Sequence, residues 1–95
     1  MAIKVVIARR VPPGKVEQLK PLVIKLRTLA MAQPGYISGE TLVNLADPDE
    51  FLVISTWSAL EHWERWHGDA RRAAVQTEID HLLGAKTVYQ IYCHG

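Results

Sequence analysis

Four stretches of the chain are rich in β-branched and aromatic residues, and residues that favour turns separate them from their neighbours. They predict four strands: Ile3 to Val11, Tyr36 to Ala46, Phe51 to Trp57 and Thr87 to Cys93. Pro12-Pro13-Gly14 ends the first strand, because proline cannot donate to a strand ladder. Asp47-Pro48-Asp49 reverses the chain, so we expect the second and third strands to form a hairpin.

Between the first two strands, apolar residues recur at spacings of three and four from Val16 to Ala30. This stripe is typical of an amphipathic helix, which we predict from about residue 13 or 15 to residue 33. Gln33-Pro34-Gly35 stops the helix. Pro21 lies inside the stripe, so we expect a kink or a tight first turn there.

Two further helices are predicted between the third and fourth strands. Ser58 is the expected N-cap of a helix that starts at Ala59, and Glu61 would complete a capping box. Asp69 is the expected N-cap of the next helix, which covers residues 70–83 and which Gly84 ends.

The resulting order is β-α-β-β-α(α)-β. This order predicts the α+β class, with one ferredoxin-like antiparallel sheet and its helices on one face. In the third strand, Phe51, Val53 and Trp57 alternate with Leu52 and Ile54, so both faces of that strand are apolar. Helices can cover only one face, so we expect two copies of the chain to pack sheet against sheet as a homodimer.

Composition narrows the class of protein. The 95 residues fit one domain, residues 1–95, and 48% of them are apolar. The net charge of +1, with both signs mixed, gives no electrostatic case for binding nucleic acid. We see no signal peptide and no apolar run of the roughly 18–20 residues that would span a membrane. The lone Cys93 fits a cytoplasmic protein without disulfides.

Candidate chemistry concentrates in W-S-A-L-E-H-W-E-R-W-H, from Trp57 to His67, which holds all three tryptophans and two of the four histidines. The helical wheel places Trp63 in the core. Trp57 is interpreted as core or dimer seam, and Trp66 as either edge packing or the wall of a pocket.

His62 and His67 are the histidines that could accept a proton near neutral pH. They are five residues apart, so they do not form an i, i+4 metal pair, and no metal site or cofactor is predicted. Arg9-Arg10 and Arg71-Arg72 are interpreted as solvated or dimer-edge charges, with binding of an anionic substrate as the alternative.

Two stretches carry a resemblance to a known family: Q-P-G-Y-I-S-G-E-T-L from Gln33 and V-I-S-T-W-S-A-L-E-H-W-E-R-W-H from Val53. The chain resembles the antibiotic biosynthesis monooxygenase domain family. That resemblance implies a dimeric α+β barrel with a pocket between sheet and helices in each subunit. It also implies one of several activities: cofactor-free oxygenation of polycyclic phenols, quinol oxidation or haem degradation.

Comparison with individual branches of that family narrows the activities that the resemblance implies. The haem-degrading branch has an asparagine, a tryptophan and a histidine ligand at positions that fall here on Ile7, Trp66 and Gln76. Only the tryptophan matches, so the resemblance does not favour haem degradation. Some phenol-oxidising members have an asparagine four residues before the tryptophan, where this chain has His62.

The expected function is therefore oxidation of a small aromatic or quinol-like substrate by a cofactor-independent monooxygenase. Trp66 would orient the substrate, His67 or His62 would take its proton, and Tyr36 would donate a hydrogen bond. The alternative is a non-catalytic homodimer that binds a hydrophobic small molecule.

Overall fold

The computed structural model describes residues 1–95 as four strands and three α-helices. The strands are β1 (Ile3–Arg10), β2 (Tyr36–Val43), β3 (Glu50–Trp57) and β4 (Val88–Cys93). The helices are α1 (Val16–Met31), α2 (Leu60–His67) and α3 (Ala70–Leu83), and a 3-10 turn over Pro13–Lys15 leads into α1. None of the helices combines the length and the apolar content that crossing a lipid bilayer requires.

The strands form one antiparallel sheet in the order β2-β3-β1-β4. Val5 at the centre of β1 lies opposite Ser55 of β3 and Ile91 of β4. This order, together with the succession of elements along the chain, confirms the predicted ferredoxin-like arrangement.

Most predicted boundaries lie within two residues of those in the structure, and two of the differences have local reasons. The second strand ends at Val43 rather than Ala46, because the Asn44 side chain accepts a hydrogen bond from the Ala46 N–H and bends the chain. The predicted cap of α2 is wrong: the helix starts at Leu60 after Ala59, with no side-chain cap. Ser58 lies just beyond the strand, and its N–H donates to the Gly35 carbonyl at 2.7 Å.

The predicted cap of α3 is confirmed. The Asp69 carboxylate accepts hydrogen bonds from the N–H groups of Arg71 at 2.8 Å and Arg72 at 3.4 Å. Gly84 ends the helix with a φ of +67°, which is the left-handed conformation that glycine adopts without a steric penalty.

The two faces of the sheet differ in what covers them. Alternate residues of β1, starting at Ile3, face the helices. The opposite face carries apolar side chains that no element of the chain covers: Val6, Ala8, Leu42, Leu52, Ile54, Val88 and Tyr92. Leu42 is 44%, Val88 56% and Tyr92 51% exposed, so the outer strands of this open face are largely in contact with solvent.

Under the helices, buried residues form two separate clusters. One contains Ile3, Val5, Ala30 and the three tryptophans, and the other contains Val11, Leu19, Val75 and Ile79. Along β1, Ile7 and Arg9 follow the first cluster and precede the second, on the same face of the sheet.

The Asp69 cap generates a pH prediction. The Arg71 guanidinium, at 3.0 Å, and the two backbone N–H groups lower the pKa of Asp69 to about 2. Since this pKa is lower than the value of about 3.9 in an unfolded chain, the carboxylate stabilises the fold above pH 4, and the effect is lost as pH falls through about 2.

We therefore expect Asp69→Asn, which keeps a capping side chain, to lower the free energy of unfolding at pH 7. The difference from wild type should shrink steadily in urea titrations repeated between pH 5 and pH 2. Glu78→Gln, on the exposed side of the same helix, is the control. If the free energy of unfolding of Asp69→Asn is below that of wild type by the same amount at pH 7 and at pH 2, the stabilisation does not come from the charge of the Asp69 carboxylate.

Candidate functional site

A cavity lies between the helix-covered face of the sheet and the three α-helices. It is open on one side, and the space inside it that holds no protein atom, including the solvent at its mouth, is about 570 Å³. Its lining comprises Ile7, Arg9, Val23, Leu26, Arg27, Ala30, Tyr36, Gly39, Val53, Ser55, Trp57, Trp63, Trp66, Arg72, Gln76 and Tyr89. The central strands β1 and β3 supply Ile7, Arg9, Val53 and Ser55, which form the floor.

Aromatic side chains form one wall of the cavity. Trp57 lies edge-on to Tyr36 and Trp63, with ring centroids 5.4 and 5.9 Å apart. Trp57 is therefore core rather than dimer seam, since it belongs to the buried cluster under the helices. Trp66 is only 5% exposed and lines the cavity, which decides between edge packing and pocket wall in favour of the wall.

Tyr36 reaches the cavity because Gly39 leaves room for it. A methyl group at Gly39 would lie 2.7 Å from the Tyr36 hydroxyl oxygen. That hydroxyl makes no hydrogen bond within the protein, so it is free to bind a ligand. The substrate-binding roles of Trp66 and Tyr36 remain predictions, although both side chains are where such a role requires them.

The two candidate histidines lie outside the cavity lining. His62 packs on Gly35, whose φ of +84° and lack of a side chain make room for the imidazole. His67 stacks on Trp63 at a centroid distance of 5.3 Å and contacts the edge of Tyr89 at 5.2 Å. Burial, and the nearby positive charge of Arg72, lower the pKa of His67 below 6.5. His67 is therefore neutral at pH 7, but it lies at the exposed end of α2, outside the lining, and its catalytic role remains a prediction.

Two arginines interpreted as surface charges are buried instead. Arg9 is 6% and Arg72 7% exposed, and both line the cavity. The surface interpretation was therefore wrong for these two. It holds for Arg10 and Arg71, which are exposed and form ion pairs with Asp47 at 2.8 Å and Asp69 at 3.0 Å.

Arg72 is held by both of its terminal nitrogens. One donates to the His67 carbonyl at 3.2 Å, and the other donates to the Tyr89 hydroxyl. The guanidinium also lies 5.2 Å from the centre of the Tyr89 ring, within the range of a cation–π contact. Burial raises the pKa of Tyr89, so its hydroxyl stays protonated at pH 7 and keeps a hydrogen to donate.

Arg9 is held at one end only. Its Nη2 donates to Gln76 Oε1 at 3.3 Å, but its buried Nε has no partner. Gln76 donates in turn to Asp80 at 2.8 Å and to Thr87 at 2.7 Å, so its amide is fully engaged. Gln76, which is at the position of the histidine ligand in the haem-degrading branch, therefore uses its amide to hold Arg9.

The electrostatic character of the cavity is positive. No aspartate or glutamate lines it, and neither Arg9 nor Arg72 has a carboxylate within 4.0 Å. Desolvation lowers the pKa of Arg9, yet a guanidinium stays charged at neutral pH. No group of three or more His, Cys, Asp or Glu side chains is arranged to hold a metal ion.

A signal for these buried arginines exists in the sequence pattern. Arg9 has the phase of Ile3 and Val5 along β1, and therefore points to the same face. Arg72 is three and seven residues before Val75 and Ile79, which places all three on one side of α3. Because each of these arginines has an exposed arginine beside it in sequence, both pairs were interpreted as surface charge.

Solved structures of similar fold come from several organisms. A conserved protein of Methanosarcina mazei has a TM-score of 0.90 at 20% identity, covering 100% of this chain and 94% of its own. A mutant of SnoaB, described as a cofactor-independent oxygenase from Streptomyces nogalater, has a TM-score of 0.86 at 12% identity, covering 98% and 92%. Rv0793 of Mycobacterium tuberculosis has a TM-score of 0.85 at 13% identity, covering 100% and 96%. At these identities the likeness shows the fold alone.

No curated protein sequence matches the chain. The family model described as antibiotic biosynthesis monooxygenase does match it, over residues 2–78. This match covers β1 through most of α3 and includes every cavity residue except Tyr89. The chain belongs to the antibiotic biosynthesis monooxygenase family.

Proposed function

We propose that the cavity is the active site of a cofactor-independent monooxygenase that oxidises a small aromatic or quinol-like substrate. The observation that carries this proposal is a largely apolar cavity with a tryptophan and tyrosine wall, in a chain that belongs to a monooxygenase family. The fold shared with SnoaB, a cofactor-independent oxygenase, supports the same reaction class.

In such a reaction the substrate supplies the electrons. A base removes a phenolic or enolic proton, and the electron-rich anion then transfers electrons to dioxygen. For an anthrone, one oxygen atom replaces two hydrogens at the reacting carbon to give a quinone, and the other oxygen leaves as water. The protein has to supply a dry cavity, an orienting surface and a base that works near pH 7.

The residues divide these tasks. Trp66 stacks on the aromatic ring of the substrate, and the free Tyr36 hydroxyl donates a hydrogen bond to one of its oxygens. His67 is the favoured base, because it contacts Trp63 and Tyr89 of the cavity wall, whereas His62 packs on Gly35 away from the lining. His62 remains the second candidate for the base.

One observation favours a second function, a non-catalytic protein that binds a hydrophobic small molecule. The polar side chains of the lining are arginine, glutamine, serine and tyrosine, none of which accepts a proton readily at pH 7. A cavity without a base of its own suits binding, because binding requires none. Retention of an aromatic ligand without oxygen uptake would identify this function.

We also propose that the protein is a cytoplasmic homodimer whose sheets pack through their open faces. The apolar side chains of that face are covered by nothing in the chain itself, and exposed apolar patches of this kind mark interaction sites. The cytoplasmic location rests on the single cysteine, Cys93, which forms no disulfide.

The oxygenase proposal is tested by oxygen uptake with an anthrone and with a quinol. We expect wild-type protein to exceed the buffer rate, His67→Ala to lower kcat by about 100-fold or more, as for loss of a general base, and Trp66→Ala to raise KM. His81→Ala, which changes an exposed histidine on α3, is the matched control. Equal rates for wild type, His67→Ala and buffer would reject the proposal.

The pH profile identifies the base. Because burial lowers the pKa of His67 below 6.5, its neutral form is already present at pH 7. The rate should therefore rise with pH along an acid limb whose midpoint lies below pH 6.5, and this limb should disappear in His67→Ala. A limb that survives in His67→Ala and disappears in His62→Ala would transfer the role to His62.

The dimer proposal is tested by light scattering at micromolar concentration. We expect wild type to have the mass of two chains and Ile54→Asp, which places a charge on the open face, to have the mass of one. Leu45→Asp is the control, since Leu45 is fully exposed in the β2–β3 turn and not on that face. A monomeric wild type would exclude the dimer.

A further inference from the structure

Arg9 is a buried cation with an unpaired donor, and the residue lines the cavity. The residue is 6% exposed, and its Nε has no hydrogen-bond partner. Buried donors are almost always paired, so an unpaired one on a guanidinium requires an explanation. Nη2 is the only nitrogen of the side chain with a hydrogen-bond partner, and the residue lines the cavity, so a bound molecule could bring a further acceptor to the guanidinium.

The surrounding charges do not balance. Arg9 and Arg72 are both buried and positive, and the carboxylate that acts on Arg9 is that of Asp80. Gln76 lies between Arg9 and Asp80, since it accepts a hydrogen bond from Arg9 and donates one to Asp80. Two buried cations against one carboxylate leave at least one positive charge uncompensated. Arg27 adds a third cation to the lining, with its guanidinium donating to Thr41.

From this geometry we infer that the aromatic ligand of the cavity carries a carboxylate, which binds to the Arg9 guanidinium and accepts a hydrogen bond from the Tyr89 hydroxyl. The tryptophan and tyrosine wall would hold the ring system of the same ligand. This inference rests on the proposed function only in placing an aromatic ligand in the cavity, and it does not depend on oxidation taking place there.

A carboxylate fits this site better than other charged groups do. The guanidinium is planar and presents paired donors that match the two oxygens of a carboxylate. A singly charged group balances the excess of Arg9 and Arg72 over Asp80. A cationic ligand would meet like charge in a site of low dielectric, and a neutral one would leave the excess positive charge uncompensated.

The test measures binding by calorimetry with two probes of nearly equal shape, 2-naphthoate and the neutral 2-naphthamide. For wild type at pH 7 we expect 2-naphthoate to bind at least tenfold more tightly than 2-naphthamide. Arg9→Gln should remove this preference while leaving 2-naphthamide affinity within about twofold. Arg10→Gln, the exposed neighbour paired with Asp47, should behave like wild type. Equal affinity of wild type for both probes, or no binding of either, would overturn the inference.

Two further measurements separate a ligand site from a structural role. Arg9→Lys keeps the charge but not the planar pair of donors, so it should retain a reduced preference for 2-naphthoate. In thermal unfolding without ligand, Arg9→Gln should be at least as stable as wild type, because it removes a buried cation that lacks a full set of partners. A lower melting temperature of Arg9→Gln, with the 2-naphthoate preference intact, would make Arg9 a purely structural residue.

The outcomes also separate this inference from the proposed oxygenation. Discrimination between the probes without oxygen uptake would retain the carboxylate site and reject the oxygenase. Oxidation of a neutral quinol with no difference between the probes would retain the oxygenase and reject the carboxylate site.

Discussion

The alternation of side chains along β1, a central strand of the sheet, determines where the two core clusters and the cavity lie. Ile3 and Val5 enter the tryptophan-containing cluster, and Val11, just beyond the strand, enters the second cluster. Between them, on the same face, are Ile7 and Arg9, which form part of the cavity floor. A polar side chain with the phase of the core thus interrupts the apolar packing, and the helices cross over a gap there instead of a continuous core.

This interruption has an energetic consequence. An unpaired buried donor costs about 1–3 kcal/mol, which is a considerable part of the roughly 5–15 kcal/mol that stabilises a typical domain. A chain of hydrogen bonds from Arg9 through Gln76 to Asp80 and Thr87 holds the other end of the same guanidinium. The chain satisfies Nη2 and fixes the guanidinium at the cavity floor, while Nε stays buried without an acceptor.

Local patterns were sufficient for most of the fold. The apolar stripes and the turn residues predicted every strand and α-helix, and the Asp69 cap followed from residue type alone. The cavity required tertiary information. The histidines show the limit, because His67 is the last residue of the eight-residue helix α2 and is exposed there, outside the cavity lining. The charge of the cavity was missed because each buried arginine has an exposed arginine beside it in sequence.

The origin of each part of the lining suggests how specificity is divided. The floor belongs to β1 and β3, which are hydrogen-bonded on both sides and therefore hold Arg9 and Ser55 on the stiffest part of the sheet. Much of the aromatic wall comes from the outer strands β2 and β4 and from the short helix α2, which carry Tyr36, Tyr89 and Trp66. Elements held on one side can adjust to the outline of a ring, whereas a charge fixed on the central strands selects for a complementary group at one position. Recognition of charge would then be more stringent than recognition of shape.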